Sequence, residues 1–191
     1  MENPPSLEDL RIAVCGHRFI SDPVWVARSV DWALEAIALG YPRRTWIVLS
    51  ALAEGADQLV VERILLYQPS TRLHVPLPMP EAAYLQTFSN QADQENYRKL
   101  CTLAQQTITL PAAATPEQAY VQLGSYLTGH ADLLMVVWDG RPARGPGGTG
   151  DIVQMARQIK LPLAWIHTQN TAPLPVTFEY IPGAAKRDGL L

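Results

Sequence analysis

The sequence predicts an α/β fold, a Rossmann-like three-layer sandwich built on a mainly parallel sheet. Three observations predict it. Short apolar runs alternate with stretches whose apolar residues recur at helical spacing. The runs are continuously apolar and do not alternate with polar residues, as befits strands covered on both faces. Three loops of unusual composition follow such runs, and in a parallel sheet they fall at one common edge.

The elements read in order as follows. Arg11–Cys15 is a short buried strand, broken by Gly16-His17-Arg18. Ser21 or Asp22 caps a helix with Pro23 in its first turn. Val26, Val30, Leu34 and Ile37 form its apolar face, and Gly40 and Pro42 end it. Thr45–Ser50 is a second strand, Ala53–Asp57 a turn, and the helix running to Tyr67 buries Ala56, Val60 and Ile64. Arg72–Leu77 is a third strand. The more polar stretch from Pro80 to Gln106 holds an amphipathic helix carrying Tyr97, Leu100, Cys101 and Ala104, and Thr107–Leu110 is a short strand.

Thr115–Gln118 has the spacing of a capping box, and Tyr120, Leu123 and Leu127 continue that helix. Leu133–Trp138 is the clearest buried strand. The loop from Asp139 to Gly148 leads to a helix carrying Val153, Ala156 and Ile159, and Leu161–His167 is the last core strand. The reading is therefore one domain over residues 11–167, with an N-terminal tail (1–10) and a C-terminal tail (168–191). An edge strand falls within the latter, at Val176–Ile181.

Composition narrows the function classes. Of 191 residues, 48% are hydrophobic and 17% charged, with a net charge of −3, which describes a globular chain. No basic stripe suits the phosphates of long nucleic acids; Arg43 and Arg44 read as a solvated helix exit. Cys15 and Cys101 lie far apart without zinc spacing, so no metal is expected. Met1–Leu10 lacks a signal-peptide core, and no apolar run nears the roughly 20 residues of a membrane span. A cytoplasmic location is expected.

The candidate ligand residues lie in the three loops. Gly145-Pro-Gly-Gly-Thr-Gly150 opens a helix directly beyond a buried strand. Gly147 and Gly148 let the backbone approach an anion, the helix end offers unpaired N–H groups, and Thr149 can add a hydroxyl or cap the helix. Gly16 supplies close backbone. Arg18 is a cation for a phosphate, or else a partner of Asp22. His17 is either a ligand group or one that only hydrogen-bonds backbone. In the second loop, Ser50, Glu54, Gly55 and Asp57 place carboxylates where a ribose diol could be held, unless Asp57 only caps its helix. Asp139 beside Gly140 is a diol acceptor or a turn residue. Glu54, Asp57 and Asp139 are also the catalytic candidates. His74, His130 and His167 read as structural, and Trp138 and Trp165 as core.

At these residues the chain resembles the SLOG superfamily, the Rossmann-like group that includes the LOG phosphoribohydrolases and DNA processing protein A, and it looks like a standalone member. The resemblance rests on Ile12-Ala-Val-Cys-Gly-His-Arg18, Leu49-Ser-Ala-Leu-Ala-Glu-Gly-Ala-Asp57 and Val137-Trp-Asp-Gly-Arg-Pro-Ala-Arg-Gly-Pro-Gly-Gly-Thr149, and spans Arg11 to His167. It implies nucleotides or nucleotide-derived messengers as ligands, in members that often sense rather than catalyse. A homodimer is expected by analogy, with Tyr120 and Tyr126 as interface aromatics.

LOG enzymes carry the pattern P-G-G-x-G-T-x-x-E with a catalytic Glu. Here Asp151 stands at the Thr position and Gln154 at the Glu position. An amide supplies neither a general base nor a negative charge for an oxocarbenium-like centre. Binding or sensing of a nucleotide or nucleotide derivative, with no certain cofactor, is therefore the leading expectation. The alternatives are a hydrolase of N-glycosidic or phosphate bonds, and a structural interaction protein with a vestigial pocket.

Overall fold

The strand β1 (Leu10–Gly16) buries Leu10, Ile12, Ala13 and Val14 completely, as a strand covered on both faces must. A computed structural model of the chain describes residues 9–169 and 174–181; the expected tail residues 1–8 and 182–191 lie outside them. Helix α1 (Pro23–Gly40) follows, capped by Asp22 and not Ser21: the Asp22 carboxylate accepts the Trp25 N–H at 2.9 Å. Val26, Val30, Leu34 and Ile37 are all inaccessible on its inner face.

Strand β2 (Trp46–Leu49), helix α2 (Ala56–Tyr67) and strand β3 (Arg72–Leu77) come next. A short helix α3 (Glu81–Leu85) and helix α4 (Gln91–Cys101) lead to β4 (Ala104–Thr109). Helix α5 (Pro116–His130), strand β5 (Leu133–Trp138), helix α6 (Thr149–Gln158), β6 (Leu163–His167) and β7 (Val176–Glu179) complete the described chain. The Thr115 hydroxyl accepts the Gln118 N–H, while the Gln118 amide reaches back to the Ala114 N–H. The capping box thus closes one residue earlier than its usual form.

The sheet has seven strands in the order β4-β3-β2-β1-β5-β6-β7. All neighbours are parallel except β6 and β7. Helix α2 packs on α1 and α4, and α5 packs on α6; α2 and α5 both reach β1, so helices cover the central strands in two groups. The α/β Rossmann-like architecture expected from the sequence is the one observed. Because β1 pairs with β2 on one side and β5 on the other, the strand order reverses direction there, and their carboxyl ends diverge into a crevice.

Several expectations are corrected. Ala104, placed on a helix by its spacing from Leu100 and Cys101, begins β4 and pairs with Leu73. Sheet pairing overrides a helical periodicity that runs on past Thr102. The sixth strand starts at Leu163, since Pro162 has no N–H to give a ladder. Ile159 lies just past α6 and is exposed, and Trp165 is only half-buried. The expected edge strand is present as β7, with Phe178 stacked on Trp32 at 5.3 Å. Among the described residues no helix is long and apolar enough to cross a membrane.

Candidate functional site

A cavity of about 780 Å³ occupies the crevice beyond the carboxyl ends of β1 and β5. The loop after β1, the start of α2, one face of α5, the 139–150 loop and the residues after β6 enclose it. Of the residues expected from the sequence, Gly16, His17, Arg18, Asp57, Asp139, Gly147, Gly148 and Thr149 line it together; Ser50, Glu54, Gly55 and Gly140 stand behind the wall.

Glycine is required where the β1 loop crosses the start of α2. The Ala56 N–H donates to the His17 carbonyl at 3.0 Å. A Cβ on Gly16 would lie 2.6 Å from the Ala56 Cβ, and one on Gly55, whose φ is +84°, would collide with the Arg18 carbonyl. No other residue fits this crossing without shifting β1 from α2.

Asp57 lies beneath the crossing, 4% exposed. Its carboxyl accepts the Ser50 hydroxyl at 3.2 Å and is reached by the N–H groups of Gly16 and Ala53. Burial dominates these bonds and pushes the carboxyl up to about 7. Ser50 also accepts the Leu52 N–H at 3.1 Å, so it braces the wall from behind.

Arg18 turns to Glu54 and not to Asp22. Its Nη1 is 3.2 Å from Glu54 Oε1 and 2.7 Å from the Thr87 carbonyl, and its Nη2 is 3.1 Å from the Tyr120 hydroxyl. The N–H and hydroxyl of Ser89 each donate to Glu54 Oε2 at 2.7 Å. Burial alone would raise the Glu54 carboxyl, but Ser89 and Arg18 outweigh it and hold the group below its ordinary value. Glu54 is thereby committed within the protein, and Arg18 presents a partly matched charge to the cavity.

Across the cavity, His17 meets Asp139, whose Oδ1 also accepts the Arg141 N–H at 3.0 Å. Trp138 donates its indole N–H to the Arg141 carbonyl at 2.8 Å, and Trp165 donates to the Trp138 carbonyl at 2.9 Å. These bonds fix the loop's exit from β5. Gly140, at φ +80°, lies against the Trp165 ring. Gly147, at φ +75°, passes so close to the Tyr120 backbone that a Cβ would stand 2.5 Å from its carbonyl carbon. Gly148, and not Thr149, is the N-cap of α6. The Gly148 N–H donates to Gly145 and the Gly147 N–H to Asp151 Oδ2, at 3.1 and 3.0 Å. The N–H groups of Thr149 and Gly150 meet no acceptor among the described residues.

Five contributors are not among the site residues expected from the sequence. The Tyr84 hydroxyl, on α3, is fully buried in the cavity wall and has no hydrogen-bond partner among the described residues. Tyr120 also lines the wall, bonded to Arg18, and is withdrawn from the outer face of α5. Arg141 and Arg144 line the cavity from exposed positions, as does Phe19, 83% exposed. The two arginines were visible as cations inside a loop beyond a strand; nothing in the polar stretch around Tyr84 marked it. Gln154 is exposed on α6 and lines no part of the cavity.

No family model matches the sequence, and no curated protein matches it. Among solved structures, the X-ray structure of DNA processing protein A from Streptococcus pneumoniae is similar, with a TM-score of 0.55 and 16% identity over 83% of this chain and 50% of that one. The chain spans half the length of that neighbour, and the likeness is one of fold: a Rossmann-like domain of the kind found in DNA processing protein A.

Proposed function

We propose that this chain, as a SLOG-type domain, binds a nucleotide or nucleotide-derived ligand in the crevice between the ends of β1 and β5. One observation carries the reading: the free N–H groups at the start of α6, three arginines and the unpartnered Tyr84 hydroxyl all surround a single cavity at the point where strand order reverses. The phosphate belongs at Thr149 and Gly150. The sugar and base fill the space between Tyr84, Tyr120 and Phe19.

The reading is binding without LOG-type hydrolysis. Glu54 is spent on Arg18 and Ser89, and Gln154 faces away from the cavity, so a carboxylate at position 154 would also stand outside it. Asp57 and Asp139 remain as carboxyls in the wall, where they fit hydroxyl recognition.

Thermal shift and calorimetry with adenosine, AMP and adenosine 3′,5′-cyclic monophosphate test the reading, with free base assayed in parallel. Stabilisation by a nucleotide, none by adenosine at equal concentration, and no release of base are expected. Absence of binding by every nucleotide at millimolar concentration overturns it. The homodimer expected by analogy belongs to the same proposal and would use Tyr126, since Tyr120 is engaged in the cavity wall; light scattering should give twice the chain mass.

A further inference from the structure

We infer that the site selects phosphodiester-linked nucleotides, whose phosphate carries one charge, over nucleotides that end in a free phosphate, and that Asp151 makes the selection. The inference rests on the nucleotide-binding reading above and names the ligand class for the same cavity.

The start of α6 has little capacity for an anion. A helix N-terminus offers four unpaired N–H groups and about half a positive charge. In this loop Gly147 gives its N–H to Asp151 at 3.0 Å, and Gly148 gives its own to Gly145. Only Thr149 and Gly150 retain N–H groups for a ligand among the described residues. Asp151, in the first turn of the same helix, adds a full negative charge against the helix's half positive one.

The remaining charges do not reverse that balance. Arg18 is partly matched by Glu54, and His17 faces Asp139. Arg141 and Arg144 are exposed at the rim, where solvent and salt screen them. A phosphodiester has two free oxygens and a single charge, and so matches two N–H donors beside one carboxylate. A terminal phosphate carries about −1.5 to −2 at neutral pH with three acceptor oxygens; two N–H donors leave its third oxygen unmet, and its extra charge would lie within one helical turn of the Asp151 carboxylate.

An independent observation points the same way. Tyr84 lines this cavity, and its hydroxyl is buried without a protein partner among the described residues. A neutral hydroxyl both donates and accepts, so it suits an uncharged ester or sugar oxygen and adds no charge to the site. Buried, unpaired polar groups of this kind are costly unless a ligand or water meets them.

Calorimetry on the full chain with AMP, adenosine 3′,5′-cyclic monophosphate and the dinucleoside monophosphate ApA tests the inference; the cyclic and linear probes separate two sources of one chemistry. At least one diester is expected to bind on the order of tenfold more tightly than AMP. Asp151→Asn, whose amide oxygen still accepts the Gly147 N–H, should strengthen AMP binding and bring the ratio to within about threefold. AMP binding as tightly as both diesters in the wild type overturns the inference, and does so without needing a folded variant. So does an unchanged ratio in a folded Asp151→Asn or Asp151→Ser protein. Binding by none of the three probes instead removes the nucleotide reading on which the inference stands.

Discussion

The Nε2 of His17 stands 3.1 Å from both the backbone nitrogen and the carboxyl Oδ1 of Asp139. A neutral ring with its lone pair on Nε2 accepts the backbone N–H; a ring protonated there meets the carboxylate. Either way the pair ties the end of β1 to the end of β5. Burial would raise the Asp139 carboxyl, but the Arg141 N–H and the His17 ring outweigh it and hold the group low. A carboxyl depressed in the fold stabilises above its ordinary range and loses that contribution as pH falls through its folded value. Asp139→Asn should cost roughly 0.5–1 kcal/mol at pH 7. In urea unfolding the gap to wild type should close as pH falls below the ordinary carboxylate range. A gap that stays constant with pH would remove the charge from the account.

Asp57 carries the opposite sign. Burial pushes its carboxyl up to about 7, from an ordinary value of 3.8. The folded chain therefore keeps a proton that the unfolded chain releases. The associated stability is full below the ordinary value, falls as pH rises between the two, and is gone above about 7. Melting curves for wild type and Asp57→Asn between pH 4 and pH 8 should differ progressively in the variant's favour as pH rises. Parallel curves would show that Asp57 is ionised in the fold throughout.

The glycines separate into two kinds. Gly55→Ala should destabilise by about 2 kcal/mol or more, since it combines a positive φ with a collision against the Arg18 backbone. Gly148 has an ordinary φ of −71° and a Cβ there would meet Ala143 at 3.1 Å, so Gly148→Val should fold with a loss under about 1.5 kcal/mol. Its branched side chain would crowd the 143–145 loop beside the proposed phosphate position at α6, and nucleotide affinity should fall by about tenfold or more. Calorimetry on both variants checks the contrast; full affinity in folded Gly148→Val places the phosphate elsewhere.

Tyr84→Phe removes a hydroxyl that has no protein partner among the described residues. The free protein should be as stable as wild type or slightly more so, because a buried unpaired group is lost with little change of shape. Nucleotide affinity should drop by about five- to tenfold, near the worth of one hydrogen bond. Loss of stability together with unchanged affinity would show that the hydroxyl serves the fold and not a ligand.

The fold was legible where burial repeats at a regular spacing. Leu133–Trp138 is apolar at every position because helices cover both its faces, and the inner face of α1 recurs at Val26, Val30, Leu34 and Ile37. β4 was misjudged because an edge strand of sequence AQQTIT buries little, and its start is set by pairing with Leu73. The three loops could be singled out from their glycines and their places after strands. What each side chain does there depends on partners remote in sequence: Glu54 is claimed by Ser89, and Arg18 by Thr87 and Tyr120. The orphaned Tyr84 hydroxyl is defined by the lack of such a partner, and no local pattern encodes that.

The junction of β1 with β5 also bears on how the chain reaches its native state. His17 and Asp139 are 122 residues apart, and β1 and β5 pair directly across that interval. Closing so long a loop carries a large entropic cost before any contact repays it, which slows folding in proteins dominated by such pairings. During synthesis, β1 emerges long before its central neighbour and must wait with one edge open. A ligand held between their ends would bind only chains in which this pairing is complete. Added during refolding, it would leave the early phases unchanged and slow unfolding of the finished sheet.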